Sequence, residues 1–556
     1  MNHCLKTADS NCKNCYKCIR NCPIKALRMT DEQAHIIRDE CILCGECYVV
    51  CPQNAKQIRN DADYVRELLA SGREVIVSLA PSYAAWYRGF SLADIDEAAK
   101  RLGISYCDET AKGALIVKKE YEKLVNQRKT KVIISSCCHS VNLLIEKHFP
   151  GAVKYLANVV TPMHAHGKIL KETHPDAAVV FVGPCISKKA EIEKYPGVID
   201  VALTFEEFDM MLKGAGVEIK KTNSVQNKHL TNLFPTSGGV LATMEKADDF
   251  NYLVIDGTAK CIEALAEIEN GNLENCFIEM SACSGSCTEG PLMKKHLHNP
   301  LACNVSVHKD VHVTHYDVES NGVDLVRGFA YEGKTEVMPG SSAIEEVLRK
   351  MGKTSPEKHL NCGSCGYNTC REKAIAVLQG KADISMCLPY IKEKSESFSD
   401  TIIKNTPNGI LVLDEQLNIS LLNGSARRIF DIPSSTDLIG DPVVRLLDPT
   451  DYILVQSTGK NVYANRKYLA EYEKYVEETI VYDREYHVIM IMMKDITQEE
   501  ESKNRRTAQG EAAVEITDKV IEKQMRIVQE IASLLGETTA ETKIALTKLK
   551  ETLQDE

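Results

Sequence analysis

The sequence predicts a multidomain α/β protein: a duplicated cysteine module, an α/β core, a small four-cysteine domain, an α+β domain and a helical tail. Three observations carry that expectation. The 22 cysteines concentrate at 12–51, 137–185, 283–287 and 362–387, with none after Cys387. Between about 60 and 340, buried-strand patterns alternate with amphipathic helical ones. Beyond residue 396 strand and helix patterns continue without cysteine. The 556-residue length fits roughly three to five domains. A net charge of −11 gives no basic footprint for nucleic acid and weighs against an anionic membrane surface. The start, MNHCLKTADS, has no apolar signal core, and runs such as HVIMIMM are too short to span a bilayer, so a cytoplasmic protein is expected. In a reducing cytosol thiols serve metals more readily than disulfides. So many of them point to iron–sulfur chemistry and to an anaerobe.

The first module, residues 1–58, repeats Cys-x2-Cys-x2-Cys-x3-Cys-Pro through Cys12, Cys15, Cys18, Cys22 and again through Cys41, Cys44, Cys47, Cys51. This is the run of the bacterial two-cluster ferredoxins, in which the fourth cysteine of each half ligates the other cluster. Cys12, Cys15 and Cys18 are expected to share a [4Fe-4S] cubane with Cys51, and Cys41, Cys44 and Cys47 one with Cys22. Paired structural zinc sites use longer loops between Cys-x2-Cys pairs.

Residues 60–340 follow. REVIVSLAP, KVIISSCC, AAVVFVGPC and NCFIEMSAC read as buried strands; DYVRELLAS, LADIDEAAKRLG, LIVKKEYEKLVNQ and VNLLIEKHF read as helices. The alternation predicts an α/β domain with a mostly parallel sheet, whose ligands bind beyond the carboxyl ends of the strands. Three of these strands end in cysteine: Cys137 with Cys138, Cys185, and Cys283 with Cys287 a helical turn on. The fourth ends in Ala80-Pro81-Ser82. Neighbours on an extended strand point to opposite faces, so Cys137 and Cys138 are expected to do different work.

SSCCHS, GPCISKKAE and EMSACSGSC resemble the three signature segments of the iron-only ([FeFe]) hydrogenases, and LAPSYA and FPTSGGV resemble two more. The resemblance implies an H-cluster: a [4Fe-4S] cubane bridged through one cysteine to a di-iron unit bearing CO, CN and azadithiolate. Carried over, Cys138, Cys185, Cys283 and Cys287 are the cubane ligands and Cys287 is the bridge. Cys137 shuttles protons, and Lys188 hydrogen-bonds a cyanide. Ala80, Pro81, Ser82, Gly183, Pro184, Ser187 and Ser281 are the further residues expected to contact the cofactor. Glu120 sits near the place of the first relay carboxylate. By itself Lys188 also reads as a solvated helix residue beside Lys189 and Glu191, and Glu120 as one charge on an exposed helix face. The chain departs from the catalytic members in having His139 where they have proline, Gly183 and Ser281 where they have methionine, and no glycine-rich run after Cys287. Each lost methionine removes a polarizable side chain and leaves space or a hydroxyl. Such changes alter cluster potentials and ligand geometry, so slow turnover is expected.

A third motif, at 358–392, places Cys362, Cys365, Cys370 and Cys387 as Cys-x2-Cys-x4-Cys-x16-Cys, with a short helix between the last two. It is similar to the [4Fe-4S] domain of corrinoid iron–sulfur proteins, zinc being the other reading. Residues 396–497 resemble a PAS sensor domain, in which His487 is expected on a strand surface. The tail, 500–556, reads as two helices broken at Gly536, with an apolar stripe from Ile516 to Leu535. That stripe either packs on the PAS domain or serves contacts and dimerisation. The expected complement is three [4Fe-4S] clusters plus the H-cluster. The expected partners are H2 and protons, an electron carrier such as a ferredoxin, a downstream signalling protein, and a second copy in a homodimer. Three functions fit: an H2- or redox-sensing hydrogenase with slow reversible turnover, a ferredoxin-dependent catalytic hydrogenase, and a non-enzymatic iron–sulfur scaffold.

Overall fold

The four apolar runs predicted as strands are strands, but they divide between two parallel sheets instead of sharing one. The computed structural model describes residues 4–8, 11–222, 228–297, 299–318, 322–334, 338–433 and 435–552. Its α/β core holds β1 (Val75–Leu79), β2 (Tyr106–Glu109), β3 (Val132–Ile134), β4 (Ala178–Gly183), β5 (Val201–Thr204), β6 (Asn251–Asp256) and β7 (Cys276–Ser281). One sheet has the order β2-β1-β4-β5 and the other β6-β7-β3, with every pairing parallel. Periodicity marks a strand without naming its neighbour, which is why a single sheet was the simpler expectation. β1 and β4 are buried along their whole length, as near-continuous apolar runs must be when helices cover both faces.

Register sets the site. Leu79 pairs with Val182, so Ala80–Ser82 and Pro184–Cys185 leave the first sheet at one edge. Ile278 pairs with Ile134, so Cys137–Cys138 and Ala282–Cys283 leave the second sheet together. Helices α1 (Ala111–Gln127), α2 (His139–His148), α3 (Pro162–Thr173) and α4 (Ser187–Lys194) return the chain. α2 begins directly after Cys138, which has extended backbone and caps the helix. His139 is thus the first helical residue, a position that proline also suits.

The ferredoxin-like module pairs Leu27–Thr30 with Gln33–Ile36 and Leu5–Thr7 with Lys56–Ile58, both antiparallel. The four-cysteine domain contains α5 (Cys370–Leu378), capped by the Thr369 hydroxyl, which accepts from the Glu372 amide. This domain packs on the ferredoxin-like module: Cys365, Tyr367 and Met386 share a core with Ile19, Leu27 and Ala34. Lys25 Nζ donates to the Gly366 carbonyl at 2.8 Å, and the Met29 amide to the Lys381 carbonyl at 3.0 Å. These parts form one compact unit, Met1–Ile391.

The second unit is Lys392–Glu556. Its antiparallel sheet comprises β8 (Gly409–Leu413), β9 (Ile419–Leu422), β10 (Val462–Leu469), β11 (Lys474–Asp483) and β12 (Val488–Asp495), in the order β9-β8-β12-β11-β10. Leu411, Ile429, Tyr452, Ile480 and Ile491 fill its core. His487 lies in the exposed turn before β12, paired with Glu415 at 2.9 Å, not on a strand face. The tail is one continuous helix, α6 (Thr497–Thr552), that runs through Gly536. A lone interior glycine costs a helix only about 1 kcal/mol, so it does not force the predicted break. The stripe residues Ile516, Val520, Met525, Val528, Ile531, Leu534 and Leu535 are all exposed, so none of the described residues of this unit covers them.

Candidate functional site

Two adjoining cavities lie where the carboxyl ends of both sheets meet. The smaller, about 380 Å³, is lined by Cys138, Cys185, Cys283 and Cys287, together with Ser281, Pro184 and Cys44. The larger, about 680 Å³, is lined by Cys137, Lys188, Ala80, Pro81 and Ser82, and it shares Cys138, Pro184, Cys185 and Cys287 with the smaller. Four thiols drawn from both sheets surround the first space, and one of them, Cys287, also borders the second. Among the described residues no three such side chains converge as the ligands of a single ion would, and four thiols are the donor set of a cubane. Burial pushes the free thiols of Cys138, Cys283 and Cys287 above the ordinary thiol range. Thiolates there need the positive charge that bound iron supplies. Ser187 Oγ lies 3.1 Å from Cys185 Sγ, a hydrogen bond of the kind that tunes a cluster.

Cys137 faces away from the smaller cavity. Its Sγ lies 3.2 Å from the Tyr121 hydroxyl, and burial raises its pKa to about 12. Tyr121 also takes the Ser136 amide at 2.9 Å and meets Ser136 Oγ at 3.0 Å. Lys188 is no solvated residue. Its Nζ donates to Glu191 Oε2 at 2.6 Å and reaches the Cys137 carbonyl at 3.4 Å. Glu191, with no exposed side-chain surface, also takes Thr161 Oγ1 at 2.7 Å and Arg327 Nη1 at 2.9 Å, with His164 Nδ1 2.9 Å away. Burial opposes its charge, yet Lys188 and His164 hold it well below the usual carboxylate range. His139 lines the larger cavity with neither ring nitrogen partnered, and burial lowers its pKa to about 3. It stands there as a neutral ring.

Glu120 is not brought to Cys137. Its carboxylate pairs with Lys123 at 2.6 Å, and it does not line the cavity. One residue along a helix turns about 100°, and it is Tyr121 that faces inward, in line with buried Val117 and Val125. Gly183 does not leave a void. A Cβ there would lie 2.7 Å from the Phe181 ring, which itself lines the larger cavity. Ser281 Oγ turns to the Cys283 carbonyl at 3.3 Å. Sequence reasoning also missed Glu279, whose carboxylate takes the Gly238 and Leu241 amides, both at 2.9 Å. Burial raises it to about 7, and its charge acts on Cys137. A carboxylate between Ile278 and Met280 in a core strand was the available signal.

In the ferredoxin-like module, Cys22 lines a cavity of about 340 Å³ with Cys41, Cys44 and Cys47, the crossed set. Cys12, Cys15 and Cys51 lie around Cys18, together with Lys56. Cys44 borders both this cavity and the smaller site cavity, so the second ferredoxin-type cluster position adjoins the site. Cys365 and Cys370 likewise surround Cys387 in the four-cysteine domain. Cys362 lies at its surface, hydrogen-bonded to Ser364 at 3.0 Å. Cys4, Cys107, Cys261, Cys276 and Cys303, which no cluster motif uses, are buried.

Residues 73–291 match the iron only hydrogenase large subunit, C-terminal domain; 11–62 match the 4Fe-4S dicluster domain, 359–389 a putative Fe-S cluster domain and 397–468 the PAS fold. The chain is similar to the NADP-reducing hydrogenase subunit HndD of Solidesulfovibrio fructosivorans, 26% identical over 323 residues, or 45% of this chain and 55% of that protein. It is also similar to the cytosolic Fe-S cluster assembly factor NAR1 of Eremothecium gossypii, 25% identical over 188 residues, or 31% of this chain and 42% of that protein. It therefore spans about half the length of these curated relatives. A solved variant of the [FeFe]-hydrogenase HydA1 from Chlamydomonas reinhardtii superposes with a TM-score of 0.38 at 14% identity, over 49% of this chain and all of that one. Matched in this order, the chain carries a 4Fe-4S dicluster domain, an iron-only hydrogenase-like domain, a putative Fe-S cluster domain and a PAS fold.

Proposed function

We propose that this is a hydrogenase-type protein that interconverts H2 with protons and electrons slowly and uses the reaction to sense H2 or redox state. The larger cavity is the observation that carries the reading. It adjoins the smaller cavity at Cys287, and its wall holds Cys137 and Lys188, neither of which a cubane needs. A di-iron unit bound there would supply the metal chemistry that forms and splits H2. The chain's own residues do the rest. Cys287 borders both groups, Lys188 presents a cation fixed by Glu191, and Ala80, Pro81, Phe181 and Phe234 keep the space dry. Cys137 Sγ holds a proton at the wall. The cluster positions of the ferredoxin-like module carry electrons to a carrier such as a ferredoxin. The PAS domain and the uncovered stripe of α6 pass the state to a signalling partner or a second copy.

The reading is tested by loading the anaerobic protein with a synthetic di-iron cofactor and recording its infrared spectrum. CO and CN stretching bands are expected. Their absence would leave the non-enzymatic iron–sulfur scaffold as the reading. Sensing is tested by specific activity beside a catalytic hydrogenase in one assay, where a clearly lower rate is expected and an equal rate removes the case.

A further inference from the structure

Hydrogen chemistry in a cavity walled largely by apolar side chains needs a defined route for protons. The route through Cys137 stops early: Tyr121 meets Ser136, and Ser136 Oγ donates to the Val159 carbonyl at 2.7 Å, which has no proton to pass on. A different chain of groups starts from the same cavity. Thr110, on the cavity wall, has its Oγ1 2.8 Å from Ser78 Oγ. Ser78 Oγ lies 2.8 Å from His166 Nδ1, and His166 Nε2 lies 3.2 Å from Asp108 Oδ2. Ser78 and His166 are fully buried, whereas the Asp108 side chain is 15% exposed and pairs with Lys112 at 2.8 Å, itself 33% exposed.

We propose that Thr110, Ser78, His166 and Asp108 form a proton relay between the larger cavity and solvent. The inference rests on the hydrogenase reading, because the relay serves the protons of that reaction. An ionised carboxylate only accepts, so His166 carries its proton on Nε2 and turns a lone pair at Nδ1 toward the Ser78 hydroxyl. Ser78 in turn accepts from Thr110. Every donor points outward. A proton released by the reaction in the cavity and given to Thr110 Oγ1 displaces that residue's own proton to Ser78, and Ser78 passes its proton to His166 Nδ1. His166 releases the Nε2 proton to Asp108, and Asp108 to bulk water. Only O–H and N–H bonds are made and broken, and no electron moves. Before the next proton, both hydroxyls must rotate and the packed imidazole must return to its first tautomer. That reset makes the relay slow, in keeping with a sensor.

The order Ser–His–Asp is also that of a nucleophilic triad. Ser78 does not line the cavity, however, and is sealed in the sheet, so no substrate carbonyl can reach it.

The test uses the full-length, cofactor-loaded protein with Thr110→Val, which keeps the volume and removes the hydroxyl, and with Ser78→Ala. The readout is the rate at which the CO and CN bands respond to H2 in H2O and in D2O. A slowing of at least about tenfold is expected, with a larger D2O effect, unchanged band positions and recovery in Thr110→Ser. Asp108→Asn at the mouth repeats the measurement if either interior variant loses its clusters. Responses at the wild-type rate in these variants would overturn the relay and leave the hydrogenase reading standing. A wild type without bands would remove both.

Discussion

At the scale of single residues, two neighbouring thiols differ in the cavities they line, and the proposed function gives metal to Cys138 and a proton to Cys137. Cys138 lines the smaller cavity as well as the larger one, while Cys137 lines the larger alone and meets Tyr121. Cys137→Ala is therefore expected to lower turnover by about 100-fold, the low end for losing a general acid–base. The CO and CN bands should survive. Loss of the bands would make Cys137 a ligand. Glu279 offers a titration. Its folded pKa of about 7 lies above the ordinary 4.5, so between those values the folded chain keeps a proton that the unfolded chain releases. Stability from this group is full below pH 4.5 and falls as pH rises to 7, by about 3 kcal/mol at 1.36 kcal/mol per unit. Glu279→Gln should flatten that part of the pH profile of thermal unfolding, measured from pH 5 to 8. Infrared difference spectra should also lose a protonated-carboxyl band that titrates near neutrality.

At the scale of elements, cysteine spacing made the ligand groups legible because a cluster dictates short, fixed separations whatever surrounds it. Strand positions were legible for a similar reason, since core runs such as Val75–Leu79 carry their burial in composition. Which strands pair was not, because the apolar residues of β1 and β7 would pack in either sheet. Tyr121 could have been read from its spacing to Val117 and Val125, whereas the Glu191 hub joins residues from 161 to 327 that no local pattern links. The docking of the four-cysteine domain belongs to this class too. It turns on Gly366, whose φ is +96° and where a Cβ would lie 2.8 Å from Ile19 and 3.3 Å from the Arg20 amide nitrogen. Gly366→Ala should destabilise this contact by about 1–3 kcal/mol, read as faster proteolysis within 338–391. Unchanged protection would mean that the contact is not held there.

At the scale of the molecule, the cysteine-lined sites follow one another in an order along which the proposed function has electrons move. The cavity of Cys138, Cys185, Cys283 and Cys287 shares Cys44 with the cavity of Cys22, Cys41 and Cys47. On its other side Cys22 belongs to the same core as Cys365, and both lie near Tyr367. The four-cysteine domain therefore meets the ferredoxin-like module and not the hydrogenase domain's cavities, so electrons released at the site should reach it through the cluster that Cys22 holds. Cys22→Ser tests that order. In the loaded wild type, H2 should reduce the cluster of Cys362, Cys365, Cys370 and Cys387, seen as its electron paramagnetic resonance signal. In the variant the CO and CN bands should still respond to H2 while that signal is delayed at least about tenfold, because electron supply fails and the site does not. Equal appearance of the signal in both proteins would mean that this cluster draws its electrons by another route. The ferredoxin-like module would then be an entry for an external carrier and not the link between site and sensor.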